Sequence, residues 1–241
     1  AYIMLKAITF DLWNTLIKNV DHNFKRINAL EKILRDLGIF DGIAQESFNR
    51  MNDHAWKLWE TNPFTYFPVE KRLDYIGKNY NINFNRKQKE FLMKYFEECI
   101  LEDPPCLHRG VEETLNELKR NGFIIGLISD TGYSPGRIMR KVMKSLGMLD
   151  YFNTTTFSDE IGYNKPHPSM FQQTLDNLGL HPSQTMHVGD LLRTDIAGAN
   201  NHGIISTLVD RNSPFNEGIQ EEPKYVIDEI EEVLMLIEKI S

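Results

Sequence analysis

With 241 residues, the chain is long enough for one large domain or for a domain carrying a smaller insert, and its 41% apolar and 25% charged residues are ordinary for a globular protein. A formal net charge of −7 argues against nucleic acid and anionic membranes as partners. No apolar run reaches the roughly 18 residues that span a bilayer, no signal-peptide pattern opens the chain, and Cys99 and Cys106 have no metal-ligand or disulfide-framework spacing, so a cytoplasmic protein with reduced thiols is expected. Ala1, Tyr2 and Ile3, ahead of Met4, read as an addition before the natural start and carry no functional weight here.

In chain order, residues 5–10 form a short apolar run ending at Asp11, the pattern of a buried strand that delivers an acid at its C-terminal end. The texture then turns helical. Phe24, Ile27, Leu30, Ile33, Leu34 and Leu37 recur at three- and four-residue steps, with Gly38 as a stop. Phe48, Met51, Ala55 and Leu58 make a second stripe; Val69, Leu73 and Ile76, with Gly77 near the end, make a third; Phe91, Leu92, Tyr95, Phe96 and Cys99 make a fourth. No strand pattern interrupts them, which predicts a small helical bundle. Asp103-Pro104-Pro105 breaks the pattern. Beyond it the spacing predicts a helix over 111–121, a strand over 123–128, a helix over 137–146, a strand near 154–157, a helix over 169–178, a strand over 185–188, a helix over 194–201, a strand over 204–209 and a last helix near 229–240. Strands alternating with helices imply a parallel sheet covered on both faces: an α/β, Rossmann-like, doubly wound core. The core is expected over 1–17 and 103–241, with the helical bundle inserted over 18–102 as a cap.

In such a sheet, ligands bind beyond the carboxyl ends of the strands. Three strands end in polar groups: Asp11, Ser129-Asp130-Thr131, and Gly189-Asp190. A fourth loop supplies Lys165, before Pro166. Singly, each acid reads equally as a turn former or helix cap, and the lysine as a solvated side chain. Together they suit one chemistry. Two carboxylates hold Mg²⁺ through hard oxygen ligands, a hydroxyl and an ammonium bind phosphate oxygens, and a carboxylate facing a phosphoryl group attacks it.

These residues resemble the motifs of the haloacid dehalogenase superfamily. Phe10-Asp11-Leu12-Trp13-Asn14-Thr15-Leu16 is similar to its first motif, D-x-D-x-T; Ser129 to its second; Lys165 to its third; and Gly189-Asp190-Leu191-Leu192-Arg193-Thr194-Asp195, followed by Ile196-Ala197-Gly198-Ala199, to its fourth, GDxxxxD. The insert resembles the helical cap of the superfamily's first subgroup. The resemblance implies that Asp11 is a nucleophile forming an aspartyl-phosphate. It implies that Asp11, Asp190 and the Trp13 carbonyl ligate Mg²⁺, and that Ser129 and the Asp130 amide hold phosphate oxygens. Lys165 would neutralise charge on nucleophile and phosphate, Asp195 would orient Lys165 or the metal's water shell, and Thr15 would brace the Asp11 loop. One position departs from the pattern. Phosphatases of the superfamily carry a proton-transferring Asp where this chain has Trp13, which transfers no proton at neutral pH. That help is worth roughly 10²–10⁴-fold in rate. The superfamily's 2-haloacid dehalogenases have Tyr there, but need no metal and lack a motif like Gly189-Asp190…Asp195.

The expected function is therefore Mg²⁺-dependent hydrolysis of a small phosphorylated metabolite. Two alternatives stand beside it: a 2-haloacid dehalogenase-like hydrolase, and a phosphate-binding protein whose turnover is limited by Trp13. In the insert, Trp56, Trp59, Phe64, Tyr66 and Phe67 read either as the bundle's own core or as an aromatic wall over the substrate. His22, His54 and His108 lack ligand spacing and read as ordinary surface or cap residues.

Overall fold

Four residues, Ala7–Phe10, with no exposed side chain among them, form the strand β1 on which the rest of the chain is arranged. The computed structural model describes residues 4–40 and 42–240; the reading of residues 1–3 as an addition falls outside that range. Strand β1 pairs on one side with β2 (Ile124–Ser129), in register Ala7↔Ile124, and on the other with β4 (Thr185–Gly189), in register Ala7↔Thr185. With β3 (Thr154–Phe157), β5 (Ile205–Val209) and β6 (Tyr225–Ile227) the sheet is parallel throughout, in the order β3-β2-β1-β4-β5-β6.

Side chains alternate across β1 because successive residues of a strand point to opposite faces. Ile8 and Phe10 join a buried cluster with α5 (Val111–Arg120), α6 (Gly136–Ser145) and α10 (Glu232–Ile240). Ile128 packs on the other face with α8 (Pro168–Leu178) and α9 (Ala197–Asn201); the four-residue α7 (Ser158–Ile161) precedes α8. Both faces are thus covered, which explains why the strands read as continuous apolar runs.

Between β1 and β2 lie four helices: α1 (Asn23–Asp36), α2 (Ile43–Thr61), α3 (Val69–Tyr80) and α4 (Arg86–Glu98). Their apolar stripes close on one another in a separate cluster centred on Leu30, Phe48, Leu73 and Phe96. Gly38, at φ 74°, ends the first helix where its stripe stops. Helix α3 runs three residues past Gly77 and ends at Asn81 in the left-handed conformation. Among the described residues, no helix is long and apolar enough to cross a membrane, and both cysteines are free thiols, Cys99 buried and Cys106 exposed.

Candidate active site

Strands β1, β2 and β4 end side by side, so Asp11, Ser129-Asp130 and Gly189-Asp190 converge at one edge of the sheet. The loop before α8 drops Lys165 into their midst. Its buried Nζ donates to Asp11 Oδ1 at 2.5 Å, Asp195 Oδ1 at 2.7 Å and the Ile128 carbonyl at 2.9 Å, while its amide donates to Asp130 Oδ1 at 2.8 Å. One cation is therefore shared among several acids, and their titration follows from that. Burial opposes the charge of Lys165, but Asp11, Asp195 and Asp130 outweigh it and hold the ammonium above the ordinary lysine range. Burial raises the Asp11 carboxyl against the pull of Lys165, and lifts Asp130 to about 7 for the same reason. Asp195 moves the other way. Burial would raise it, but Lys165 and the hydrogen bond from His187 hold it well below the carboxylate range.

Asp190 has no such compensation. Among the described residues its one hydrogen-bond donor is Asn14 Nδ2 at 2.8 Å, and burial, followed by the charges of Asp11 and Asp195, pushes its carboxyl up to about 8. Oxygen atoms of Asp11, Asp190 and Asp195 lie within 4.8 Å of one another. Three buried carboxylates facing one lysine leave negative charge uncompensated, and the all-oxygen donor set suits a hard divalent cation. The Asp11 turn contributes a further oxygen. Asn14 takes φ 56°, and the turn closes through Asn14 N→Ile17 O at 2.7 Å and Leu16 N→Leu12 O at 3.0 Å. The Trp13 carbonyl receives no hydrogen bond among the described residues and stays available as an acceptor. Thr15 is buried beneath this turn, its hydroxyl without a hydrogen-bond partner. Ser129 is buried too, its hydroxyl donating to the Asp130 carbonyl at 3.2 Å.

Asp195 is the best-braced group in the site. Its Oδ1 accepts from Lys165 and faces His187 Nε2 at 3.1 Å; its Oδ2 accepts from Leu191 N at 3.2 Å and lies 3.4 Å from the Thr194 hydroxyl. Residues Leu192–Ile196 form one wide π turn before α9, which folds Asp195 back over Gly189. A Cβ on Gly189 would stand 2.3 Å from the Asp195 carboxyl carbon, so only glycine fits there. A plain helix over 194–201 was the simpler expectation; π turns of this kind recur at functional sites because they re-aim a single side chain.

Two participants escaped the sequence. Asn14 carries no signal of its own. His187 sits inside an apolar strand and is fully buried; burial lowers its pKa against the pull of Asp195, which keeps the ring neutral. With Nε2 facing the Asp195 carboxylate, Nδ1 lies 2.9 Å from Thr9 Oγ1, a hydroxyl that also lies within donating distance of the Met186 carbonyl, at 3.2 Å. Strand register is what sets Thr9 beside His187.

Above the site, a cavity of about 730 Å³ opens between the sheet edge and the helical block. Trp13, Asp130 and Asn164 line it, beside the site; Asp11 and Asp190 are not among its lining residues. Trp56 and Trp59 stack at 5.0 Å, and Trp56 meets Phe215 of the core at 5.0 Å, all three on the cavity wall. These two tryptophans are wall rather than bundle core. Phe67 packs on the bundle core and also lines the cavity; Phe64 is exposed, edge-on to His167 at 5.2 Å. His22 is not a surface residue: it is buried, with Nε2 2.8 Å from the Asp103 carbonyl. His54 stacks on Tyr75 at 4.5 Å within the block.

Comparison with known proteins places this geometry. The phosphoglycolate phosphatase of Yersinia pseudotuberculosis is 33% identical over 195 residues, covering 81% of this chain and 76% of its own. The glyceraldehyde 3-phosphate phosphatase of Pyrococcus furiosus is 27% identical, covering 98% and 94%. The crystal structure of a 2-haloacid dehalogenase from Pseudomonas syringae pv. Tomato shares the fold with a TM-score of 0.73 at 21% identity, over 99% of this chain and 100% of the other. The family model for haloacid dehalogenase-like hydrolases matches residues 5–203, and with the strand-end acids and the lysine gathered as described, the chain belongs to that family.

Proposed function

We propose that the protein is a Mg²⁺-dependent phosphatase of small phosphorylated metabolites that works in the cytoplasm through an aspartyl-phosphate on Asp11. The observation that carries this reading is the Asp190 carboxylate, buried beside Asp11 with an amide as its only hydrogen-bond partner among the described residues. A metal-free dehalogenase has no use for that arrangement. The names of the relatives, phosphoglycolate phosphatase and glyceraldehyde 3-phosphate phosphatase, point the same way.

In this reading Asp11, Asp190 and the Trp13 carbonyl hold Mg²⁺, which when bound offsets the charge of these carboxylates and of the phosphoryl oxygens. Asp11 attacks phosphorus, the ester P–O bond breaks and the alkoxide or aryloxide leaves, taking its proton from solvent; water then attacks the phosphoaspartate and gives up a proton to solvent, releasing phosphate and restoring Asp11. Lys165 holds the nucleophile in place and stabilises charge on the phosphoryl group. Asp195 fixes Lys165, and Asn14 orients Asp190. Ser129 and the Asp130 amide receive phosphate oxygens, and Thr15 supports the loop. The helical block serves as a cap that excludes water while the reaction runs. The test is release of phosphate from p-nitrophenyl phosphate, with and without Mg²⁺, beside release of chloride from 2-chloropropionate. Metal-free chloride release, or no Mg²⁺-dependent phosphate release, sinks the proposal.

Metal binding should be visible through protons. A carboxyl whose folded pKa lies above its unfolded value holds a proton that the unfolded chain has lost, so metal-free stability falls as pH rises from about 4 to about 8 through Asp190. Mg²⁺ needs that carboxylate ionised. At pH 6, binding should release about one proton per ion, read by calorimetry in buffers of different ionisation heat, and affinity should rise up to about pH 8. Asp190→Ala should weaken Mg²⁺ at least about a hundredfold while leaving the metal-free fold at pH 8 no less stable. Unchanged affinity in that variant removes Asp190 from the metal site.

Trp13, half-buried against the core, leaves the leaving group without the usual acid. Aryl phosphates, whose leaving groups need little protonation, should be turned over far faster than alkyl phosphates. Trp13→Asp should narrow the aryl-to-alkyl ratio of kcat/KM by at least about tenfold, at a stability cost of up to about 3 kcal/mol from the vacated indole volume. A wild-type ratio near one means that protons already arrive from another group.

A further inference from the structure

Arg26 and Arg72 are drawn into the fold without an acidic partner among the described residues. Arg26, on α1, is 6% exposed; its Nε donates to the Phe96 carbonyl at 3.0 Å, and its terminal nitrogens have no hydrogen-bond partner among the described residues. Arg72, on α3, gives its Nε to the Phe67 carbonyl at 3.1 Å, and its other contacts among the described residues are neutral: Asn52, Met51, Tyr133 and the ring of Phe67. Both guanidinium carbons lie over the ring of Tyr133, at 4.0 and 4.5 Å. Among the described residues neither arginine has an ion pair, although 14 such pairs occur elsewhere.

Their setting is the cavity above Asp130. Arg26, Arg72 and Tyr133 all line it, and Tyr133 follows the phosphate-side loop by three residues. Each guanidinium is anchored at Nε by a backbone carbonyl, which fixes the plane of the fork. Buried charges are ordinarily paired, because desolvation is repaid only by an opposite charge with good geometry. As mere struts within the helical block, uncharged side chains would make the same carbonyl contacts at lower cost. The cavity's acids form no ion pair with them among the described residues: Asp21 accepts the Asn23 amide at 2.7 Å at the start of α1, Asp53 is exposed on α2, and Asp130 accepts the Lys165 amide.

We propose that Arg26 and Arg72 form a carboxylate-binding subsite, so that the substrate is a small phosphate monoester bearing a carboxylate remote from the scissile phosphate. A planar carboxylate matches the guanidinium fork through paired N–H···O bonds. The substrate half of this inference rests on the phosphatase reading; the subsite itself does not.

The test uses pairs of inert ligands that differ in the carboxylate alone: phosphonoacetate against ethylphosphonate, 3-phosphonopropionate against propylphosphonate, and 4-phosphonobutyrate against butylphosphonate. Binding to the full chain is measured by calorimetry with Mg²⁺ present. For the length that fits, the acid should bind about ten- to a hundredfold tighter than its partner. Arg72→Met and Arg26→Gln, the latter keeping a donor for the Phe96 carbonyl, should each bring that ratio toward one. Ratios within about threefold at every length in the wild type overturn the proposal. So does a wild-type preference that both folded variants retain, since the carboxylate is then held elsewhere, for example by the metal. If neither variant folds, the wild-type ratio decides. A preference that depends on the arginines, in a protein that does not turn over p-nitrophenyl phosphate, supports the subsite and removes the phosphatase reading instead.

Discussion

Asp11→Asn should lower kcat on every phosphate ester by at least about 10⁴-fold, since an amide neither attacks phosphorus nor offers Mg²⁺ a charged oxygen. The stability of the variant separates a catalytic loss from a folding one. Losing one partner of a buried ion pair ordinarily destabilises by about 3–5 kcal/mol. Here the removed charge sits beside Asp190 and Asp195, and Lys165 keeps Asp195 at 2.7 Å. Relief of repulsion among the carboxylates offsets most of the lost attraction, so the melting temperature without metal should stay close to wild type. With Mg²⁺ in excess, wild type should gain the stability that ligand binding confers, and the variant should not. Calorimetric melts with EDTA and with Mg²⁺ check both halves. Substantial phosphatase activity in a folded Asp11→Asn protein removes the nucleophile from the mechanism.

Lys165→Met should be the most damaging single change in the chain. The ammonium is buried and is the cation that faces Asp11, Asp195 and, through the adjoining amide, Asp130. Without it, desolvation and mutual repulsion raise all three carboxyls, and the loss of a buried ionic partner is worth about 3–5 kcal/mol. The pH dependence is specific. Asp195, depressed in the folded protein, contributes stability that is present above the unfolded carboxylate pKa and lost as pH falls through its lower folded value. Removing Lys165 abolishes that contribution and leaves the buried carboxyls raised instead of held down, so their ionisation costs stability as pH rises above about 4; the deficit against wild type should therefore be greatest near neutral pH and smaller at pH 4. Activity should fall by at least about 10³-fold for want of charge stabilisation. Lys165→Arg should restore part of the stability and little of the activity, because a planar fork cannot reproduce one nitrogen bound to three acceptors. Equal deficits at pH 4 and pH 7 argue against the ionic account.

Much of this was legible in the residues themselves, for definite reasons. Strand β3, Thr154–Phe157, and the ends of α5 and α8 were readable because glycines or polar residues punctuate apolar runs there. The strand-end acids were readable because a buried strand that stops at Asp aims that Asp at the sheet edge. Strand β6, Tyr225–Ile227, went unread: it is three residues long and partly exposed on the sheet's edge, with no periodicity to detect. The partners of Asp195 were unreadable for a different cause. Thr9 and His187 meet through the register of two strands far apart in sequence. Arg26 and Arg72 look like any solvated helix arginines until the packing of α1 and α3 brings both over the ring of Tyr133 on the cavity wall.

The position of β1 also bears on how the molecule is made. This strand is the first element of the chain, yet it lies mid-sheet, and both its neighbours come from beyond residue 123. Contact between Lys165 and Asp11 closes a loop of 154 residues. The helical block, by contrast, is built from contacts between successive helices. During synthesis the block can therefore collapse while β1 waits unpaired, because long-range pairing bears its loop-closure entropy before any contact rewards it. An apolar strand held open until residues 124–129 and 185–189 have been made is a hazard for aggregation. Its brevity, at four residues, limits that hazard, since so short a strand offers little edge to a second chain.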